Sequence, residues 1–430
     1  MFKREAYLKK LVHSIGNGYI KVITGIRRCG KSFLLNTIFY DYLIENAADP
    51  DHVVRFAFDS AEDLALIGED PVELQLKKRP VDPKKFMDYL RGRMKEGERY
   101  FLLLDEIQEL GAFEAVLNSY LRKPEIDVFA TGSNAKFLSK DLITEFAGRS
   151  DRIHLQPLSF GEFMSVRDGD AQRGLAEYML YGGLPPVALE SDEGKKRSML
   201  RNLLDEVYLR DVVKRNKIRN EDDLGEILDL LASSVGSLSN VERIRNTFRS
   251  VKRSAITSKT VAKYVDCLED AFLIGSAARY DVKGRRYIGA PKKFYFSDLG
   301  LRNSRLNFRQ FEENHLMENA VYNELLGRGY NVDVGVVQTA EKNGNGSVVR
   351  RNLEIDFVCN MGSERCYVQS AFSMPDAAKR EQETRPFRAV RDSFRKIVVT
   401  RDMVPAHFDD NGVQIVNVCD FLLDPDSLRR

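Results

Sequence analysis

The chain has 430 residues, 43% of them hydrophobic, which is enough for roughly two or three domains with sizeable cores. Lys and Arg total 66 against 64 Asp and Glu, so a net charge of +2 excludes a wholesale polyanion binder and confines any nucleic-acid surface to a local patch. Five dispersed cysteines (Cys29, Cys267, Cys359, Cys366, Cys419) without C-x-x-C spacing, and five scattered histidines, argue against a disulfide frame or a structural zinc site.

The N-terminus, Met1-Phe-Lys-Arg-Glu, carries no signal-peptide core, and no apolar run approaches the ~18 residues of a membrane span. A cytoplasmic protein without a membrane partner is expected. The first informative element is the apolar run Tyr19–Ile23, a predicted strand. It leads into Gly25-Ile26-Arg27-Arg28-Cys29-Gly30-Lys31-Ser32, which fits G-x-x-x-x-G-K-[ST], and then into a predicted helix from Phe33. Glycines at both ends let the backbone curl with its N–H groups inward, toward phosphate oxygens at a helix N-terminus. Residues Gly25 to Phe33 are therefore the candidate cradle for ATP or ADP. Lys31 is placed to reach the β- and γ-phosphates and Ser32 to hold Mg²⁺.

Val53–Asp59 reads as a second strand, and Pro83–Lys95 as a helix with proline in its first turn. Tyr100-Phe-Leu-Leu-Leu-Asp105-Glu106 follows: five apolar residues ending in paired acids, the pattern of a buried parallel strand with carboxylates at its C-terminal tip. That tip is where ligands sit in open α/β sheets. Asp105 is the second candidate for Mg²⁺ and Glu106 the candidate to polarise an attacking water. Val128–Asn134 and Arg152–Gln156 complete the strands. Arg27 and Arg28 have three readings: contact with phosphates, contact with an adjacent subunit, or a structural role.

A strand inserted between the glycine loop and the acid strand, with Glu directly after the strand-tip Asp, resembles the AAA-type branch of P-loop NTPases. In that branch a polar residue at the next strand tip senses the γ-phosphate, a place held here by Ser133 and Asn134; the other reading is a helix-capping turn. Arg149, before the last strand, reads by analogy as a finger toward a neighbouring subunit's nucleotide, or as an anchor for a local carboxylate. Six segments in order, TGIRRCGKS, LLLDEIQEL, TGSNAKFLS, GRSDRIHLQPLSFGEF, YGGLPP and KKFYFSDLGLRN, are similar to a widespread prokaryotic family of AAA-type ATPases with a C-terminal domain of unknown function. The resemblance implies ATP binding, an AAA-like α/β core with a parallel sheet, and a C-terminal restriction-endonuclease-like α/β region. Arginines acting between subunits imply a homo-oligomer.

Residues 164–223 read as a helical lid or linker after a first domain over 1–163. From 224 to 305 the pattern is that of a winged helix: helices at Leu224–Ser234, Asn240–Ser250 and one to about Asp270 capped by Thr257 or Ser258, then strands at Leu273–Tyr280 and Lys293–Phe296 around a basic turn. Glu242–Lys263 holds seven Lys or Arg and one acid; Arg279–Lys293 holds six and one. Lys259, Lys263, Lys283, Arg285 and Arg286 are the candidate DNA contacts, against the alternative of a solvated face.

Residues 306–430 place Glu318 on a helix and Asp356 on a strand, in the layout of a metal-dependent nuclease. The next strand carries Gln369-Ser370-Ala371 where an acid and a lysine belong, so an inactive nuclease-like module is expected. The expected activity is ATP hydrolysis coupled to a DNA-associated process. Two rivals stand beside it, an ATP-regulated nuclease and a nucleotide-switched scaffold.

Overall fold

Apolar strands buried on both faces require layers above and below, and the N-terminal unit, residues 1–156, is built that way. The computed structural model describes residues 2–132, 146, 148–167, 169–252, 256–342 and 348–428. In this unit β1 (Ile20–Thr24), β2 (Val53–Ala57), β3 (Tyr100–Asp105), β4 (Ile126–Thr131) and β5 (Ser150–His154) form one sheet in the order β2-β3-β4-β1-β5. Every pairing in it is parallel. All residues of β1 and β3 are buried. The sheet therefore sets β4 between the glycine-loop strand and the acid strand, and aligns their C-terminal tips on one edge.

The helix after the glycine loop starts at Lys31–Phe33, widens into a π-helical stretch at Leu34–Phe39, and resumes over Tyr40–Asn46. Leu34, Leu35 and Phe39 bury its inner face, and the Phe39 ring packs 4.6 Å from that of Phe129 on β4. Pro83 opens the helix Pro83–Arg93, whose N-terminus is capped by the Asp82 side chain accepting from Lys84 N–H at 2.8 Å.

The second unit, residues 157–430, holds a nine-stranded sheet. Its strands are β6 (Leu238–Ser239), β7 (Ile274–Asp281), β8 (Arg286–Phe296), β9 (Asn331–Lys342), β10 (Val348–Met361), β11 (Glu364–Ala371), β12 (Arg395–Thr400), β13 (His407–Phe408) and β14 (Gln414–Asn417). The order is β13-β14-β12-β11-β10-β9-β7-β8-β6. The three expected helices occur at Glu221–Ser233, Val241–Lys252 and Ser258–Asp270, and Thr257 supplies the third cap, accepting from Thr260 N–H at 3.2 Å. Val261, Val265 and Leu268 form a buried stripe along the third helix.

The wing-like hairpin β7–β8 does not stand apart from the C-terminal region. β7 pairs in parallel with β9, from Arg279↔Val334 to Asp281↔Val336, so the sheet runs unbroken across the expected boundary at 305/306. A strand edge left by a two-stranded wing is satisfied here by a third strand. The break between the two units falls at 156/157, ahead of the expected 163/164.

Two of the six recognisable segments meet in this unit and hold it together. Asp298 caps the helix Leu299–Arg305 by accepting from Leu301 N–H at 3.0 Å, and its other oxygen accepts from Gly183 N–H at 2.7 Å. A Cβ on Gly182 would lie 2.3 Å from that carboxylate, and φ at Gly182 is +74°, so glycine is required twice over. Arg302, fully buried, donates to Ala232 O, Gln310 O and Glu312, while Asn303 donates to Met179 O and Leu180 O. YGGLPP and SDLGLRN are thus a structural clasp. Asp298→Ala strands buried N–H groups and should destabilise this unit by about 2–4 kcal/mol, read as a lowered midpoint in urea unfolding at neutral pH.

Candidate nucleotide-binding site

The loop after β1 is shaped by what it cannot accommodate. A Cβ at Gly25 would lie 2.3 Å from Leu155 O and 3.1 Å from Cys29 Sγ, at φ +145°. Arg28 (φ 62°) and Gly30 (φ 100°) turn the chain back toward the helix. Ile26 and Cys29 point into the core, which leaves Arg27, Arg28 and Ser32 exposed around the turn. Phe33 is half-buried in the first helical turn. Lys31 is buried to 5% exposure and its Nζ donates to Gly25 O at 3.1 Å and Ile26 O at 3.0 Å. The ammonium is therefore held inside the turn that carries it.

Opposite stands Asp105, buried at the end of β3. Thr131, the last residue of β4, donates its hydroxyl to Asp105 Oδ1 and accepts from Glu106 N–H at 3.1 Å. Asn36 donates to Asp105 Oδ2 at 3.2 Å, and the Ser32 hydroxyl lies near enough to this carboxylate to favour its charged form. Burial pushes the Asp105 carboxyl above its ordinary range; the hydroxyls of Thr131 and Ser32 pull it back, the Glu106 charge adds to the rise, and Lys31 opposes it. Glu106 sits at φ 50°, a left-handed turn that swings its side chain off the strand line, where Gln108 bonds its Oε2.

The fold thus brings Lys31, Ser32, Asp105 and Glu106 together at the C-terminal ends of the strands. Sequence reasoning missed three neighbours. Asp59 lies beyond the tip of β2, and its carboxyl is raised by burial and by Glu106 and Asp105, with Arg27 opposing. Thr131 and Asn36 orient Asp105. A signal existed for Asp59 and Thr131, since each is a polar residue closing an apolar strand on the ligand edge. Ser32 and Asp105 supply two adjacent hard oxygen donors beside a lysine, a chemistry that fits Mg²⁺.

Ser133 and Asn134 lie outside the described residues. Arg149 is exposed in the turn before β5, and its carbonyl accepts from Ile20 N–H at 3.1 Å. In the second unit Lys259 and Lys263 are exposed one turn apart on the Ser258–Asp270 helix. Lys283, Arg285 and Arg286 are exposed in the β7–β8 turn, where Lys283 also donates to Gln338 O at 2.7 Å and Arg286 lies 3.6 Å from Asp281. Glu318, Asp356 and Gln369 fall on the expected helix and strands, but Lys293, counted above with the basic hairpin, is buried among these acids. Among the described residues no helix is long and apolar enough to cross a membrane.

His154, ending β5, meets Thr24 Oγ1 at 3.2 Å through Nδ1. Burial, then Lys31 and Lys10, press its pKa down to about 4. The fold therefore favours the neutral ring. Its stabilising share is complete above the ordinary value near 6.5 and is lost as pH falls from there to about 4. His154→Gln should remove at most about 3 kcal/mol of acid sensitivity, measured as a flatter pH profile of unfolding midpoints between those limits.

Comparisons with known proteins agree with the site's context. Residues 17–164 match an AAA domain, and residues 172–312 match a domain of unknown function (DUF8612). An uncharacterized protein of Haemophilus influenzae is 32% identical over 429 residues, 98% of this chain and 99% of its own length. One from Methanocaldococcus jannaschii is 26% identical over 390 residues, 87% of this chain and 79% of its own. Among solved structures, the Aeropyrum pernix ORC1 protein in complex with DNA is 13% identical, covers 71% of this chain and 93% of that one, and has a TM-score of 0.28. Cdc6p from Pyrobaculum aerophilum is 16% identical, covers 64% and 87%, and has a TM-score of 0.30. The parallel sheet order, the glycine loop and the domain match define the fold of the N-terminal unit. With an end-to-end relative at this identity, the chain belongs to the family of the Haemophilus influenzae protein, and its N-terminal unit is an AAA domain with an α/β P-loop core.

Proposed function

We propose that this protein is an ATPase that binds ATP·Mg²⁺ on the Gly25–Phe33 loop and hydrolyses it to drive or regulate a DNA-associated activity, working as a homo-oligomer in the cytoplasm. The observation that carries the reading is the convergence of Lys31, Ser32, Asp105 and Glu106 on one sheet edge. Backbone amides of the loop cradle the phosphates, and Lys31 turns from the loop carbonyls to the β- and γ-phosphates. Ser32 and Asp105 would hold Mg²⁺, which would supply charge neutralisation to the phosphate oxygens. Glu106 aligns the attacking water, its backbone pinned by Thr131. Ser133 or Asn134 reads the γ-phosphate, and Arg149, exposed before β5, reaches a neighbouring copy's nucleotide. Catalysis is positioning plus charge stabilisation around the transferred phosphoryl group.

The DNA surface is the pair of exposed basic sets, Lys259 with Lys263 and Lys283 with Arg285 and Arg286. Both belong to the same unit, and their charges are of the sign that displaces counterions from a phosphate backbone.

Lys31→Ala should weaken ATP binding by about 10- to 100-fold in a fluorescent-nucleotide titration, as expected for losing a charge-assisted phosphate contact; unchanged affinity would remove the loop assignment. Glu106→Gln should keep ATP affinity and lose about 10²- to 10⁴-fold in turnover. Duplex DNA should stimulate hydrolysis by the unaltered protein, whereas slow turnover indifferent to DNA would favour a nucleotide-switched scaffold. Reversing the charges of Lys283, Arg285 and Arg286 together should reduce DNA affinity and lower the slope of log K against log salt by about 2–3.

A further inference from the structure

Lys293 lies on β8, in a stretch that reads as a basic surface, yet it is 3% exposed. Its Nζ is 2.9 Å from Glu318 Oε1, 2.8 Å from Glu354 Oε1 and 3.0 Å from Asp356 Oδ1. Three N–H donors meet three carboxylates drawn from the helix Glu313–Gly327 and from β10. The second oxygen of Asp356 accepts from Ser370 N–H at 3.0 Å, and Glu318 Oε1 also accepts from the Tyr295 hydroxyl at 2.7 Å.

The socket is rigid. Asn319, next to Glu318, clasps both the N–H and the carbonyl of Phe296 on β8, at 2.9 and 2.8 Å. Tyr295 stacks on Tyr322 of the same helix with ring centroids 4.1 Å apart. Burial alone pushes the Lys293 ammonium toward neutrality, but Asp356, Glu318 and Glu354 outweigh it and hold it charged. Burial, then Asp356, raises Glu318 to about 7, which eases the excess of negative charge.

We propose that Lys293 is the resident cation of this carboxylate cluster, seated where a helix Glu and two strand acids would otherwise gather around a divalent metal ion. The cluster is thereby a permanent tie between β8, the Glu318 helix and β10, closed to such ions while Lys293 is in place. The three acids offer hard oxygen donors of the kind Mg²⁺ and Mn²⁺ take. A second cation in the same space would meet the ammonium at contact range, where repulsion in a dry site is severe. The following strand agrees with this use: Gln369 spends its side-chain carbonyl on Asp356 N–H at 3.3 Å and its amide on Glu383 at 3.2 Å, and so carries no negative charge toward the cluster. This inference is independent of the nucleotide site.

The test is Mn²⁺ titration of the full chain, followed by the electron paramagnetic resonance of unbound Mn²⁺ and by Tm, with ATP absent and Lys31→Ala as the common background, so that carried-over nucleotide brings no Mn²⁺ and any binding at Ser32 and Asp105 is shared by every variant. Lys293→Ala on that background should bind Mn²⁺ at least about tenfold more tightly than the Lys31→Ala chain, with Mn²⁺ raising its Tm, and adding Asp356→Asn should abolish both effects. A folded Lys293→Ala chain that takes no Mn²⁺ overturns the proposal. If that variant does not fold, the Lys31→Ala chain with and without Asp356→Asn decides: equal Mn²⁺ binding upholds the closed cluster, and binding lost with Asp356→Asn overturns it.

Discussion

A buried carboxylate at the end of an apolar strand is costly unless its oxygens are occupied, and the N-terminal unit is organised around one such group. Asp105 receives the hydroxyl of Thr131 from β4 and the amide of Asn36 from the helix after the glycine loop, with the Ser32 hydroxyl of that helix's first turn close by. Two elements, β4 and that helix, converge on the end of β3, so the mutual placement of all three is fixed at one sheet edge. Thr131 extends the tie to Glu106 through its backbone N–H. The glycine loop is held from the other side, where the Leu155 carbonyl leaves Gly25 no room for a side chain. Between these constraints Lys31 has a defined position and a set of carbonyls that hold its charge.

The second unit uses the same device with different chemistry. Asp298, Arg302 and Asn303 are buried polar residues, and each donates to or accepts from backbone that would otherwise be orphaned where the chain turns. Lys293 does for the nine-stranded sheet what Asp105 does for the five-stranded one: it gathers groups from separate elements onto a single charge. Such contacts define one arrangement among many that apolar packing alone would permit.

Much of the fold was legible in the chain. Apolar runs closed by polar residues marked β1 to β5, and Pro83 and Thr257 marked helix starts that the structure shows, because such signals act within a few residues. At the nucleotide site the loop and the acid pair were legible for the same reason. Asn36 was not, since a polar residue in a helix says nothing of which strand its side chain will meet. The wing was read as a separate module because hairpin strands announce themselves locally, while the parallel partner β9 lies about fifty residues further along the chain.

By itself, then, the sequence determined the glycine loop, the acid-tipped strand, the alternation that makes a parallel sheet, and a second unit with three helices and a hairpin. These follow from backbone preference and hydrophobic period, which are properties of neighbouring residues. Tertiary structure decided the roles of charged side chains. Lys293 and Lys283 stand ten residues apart in one basic stretch, yet the first is buried among three carboxylates and the second is exposed in a turn. Charge acts through space rather than along the chain, so its meaning is set when distant segments come together.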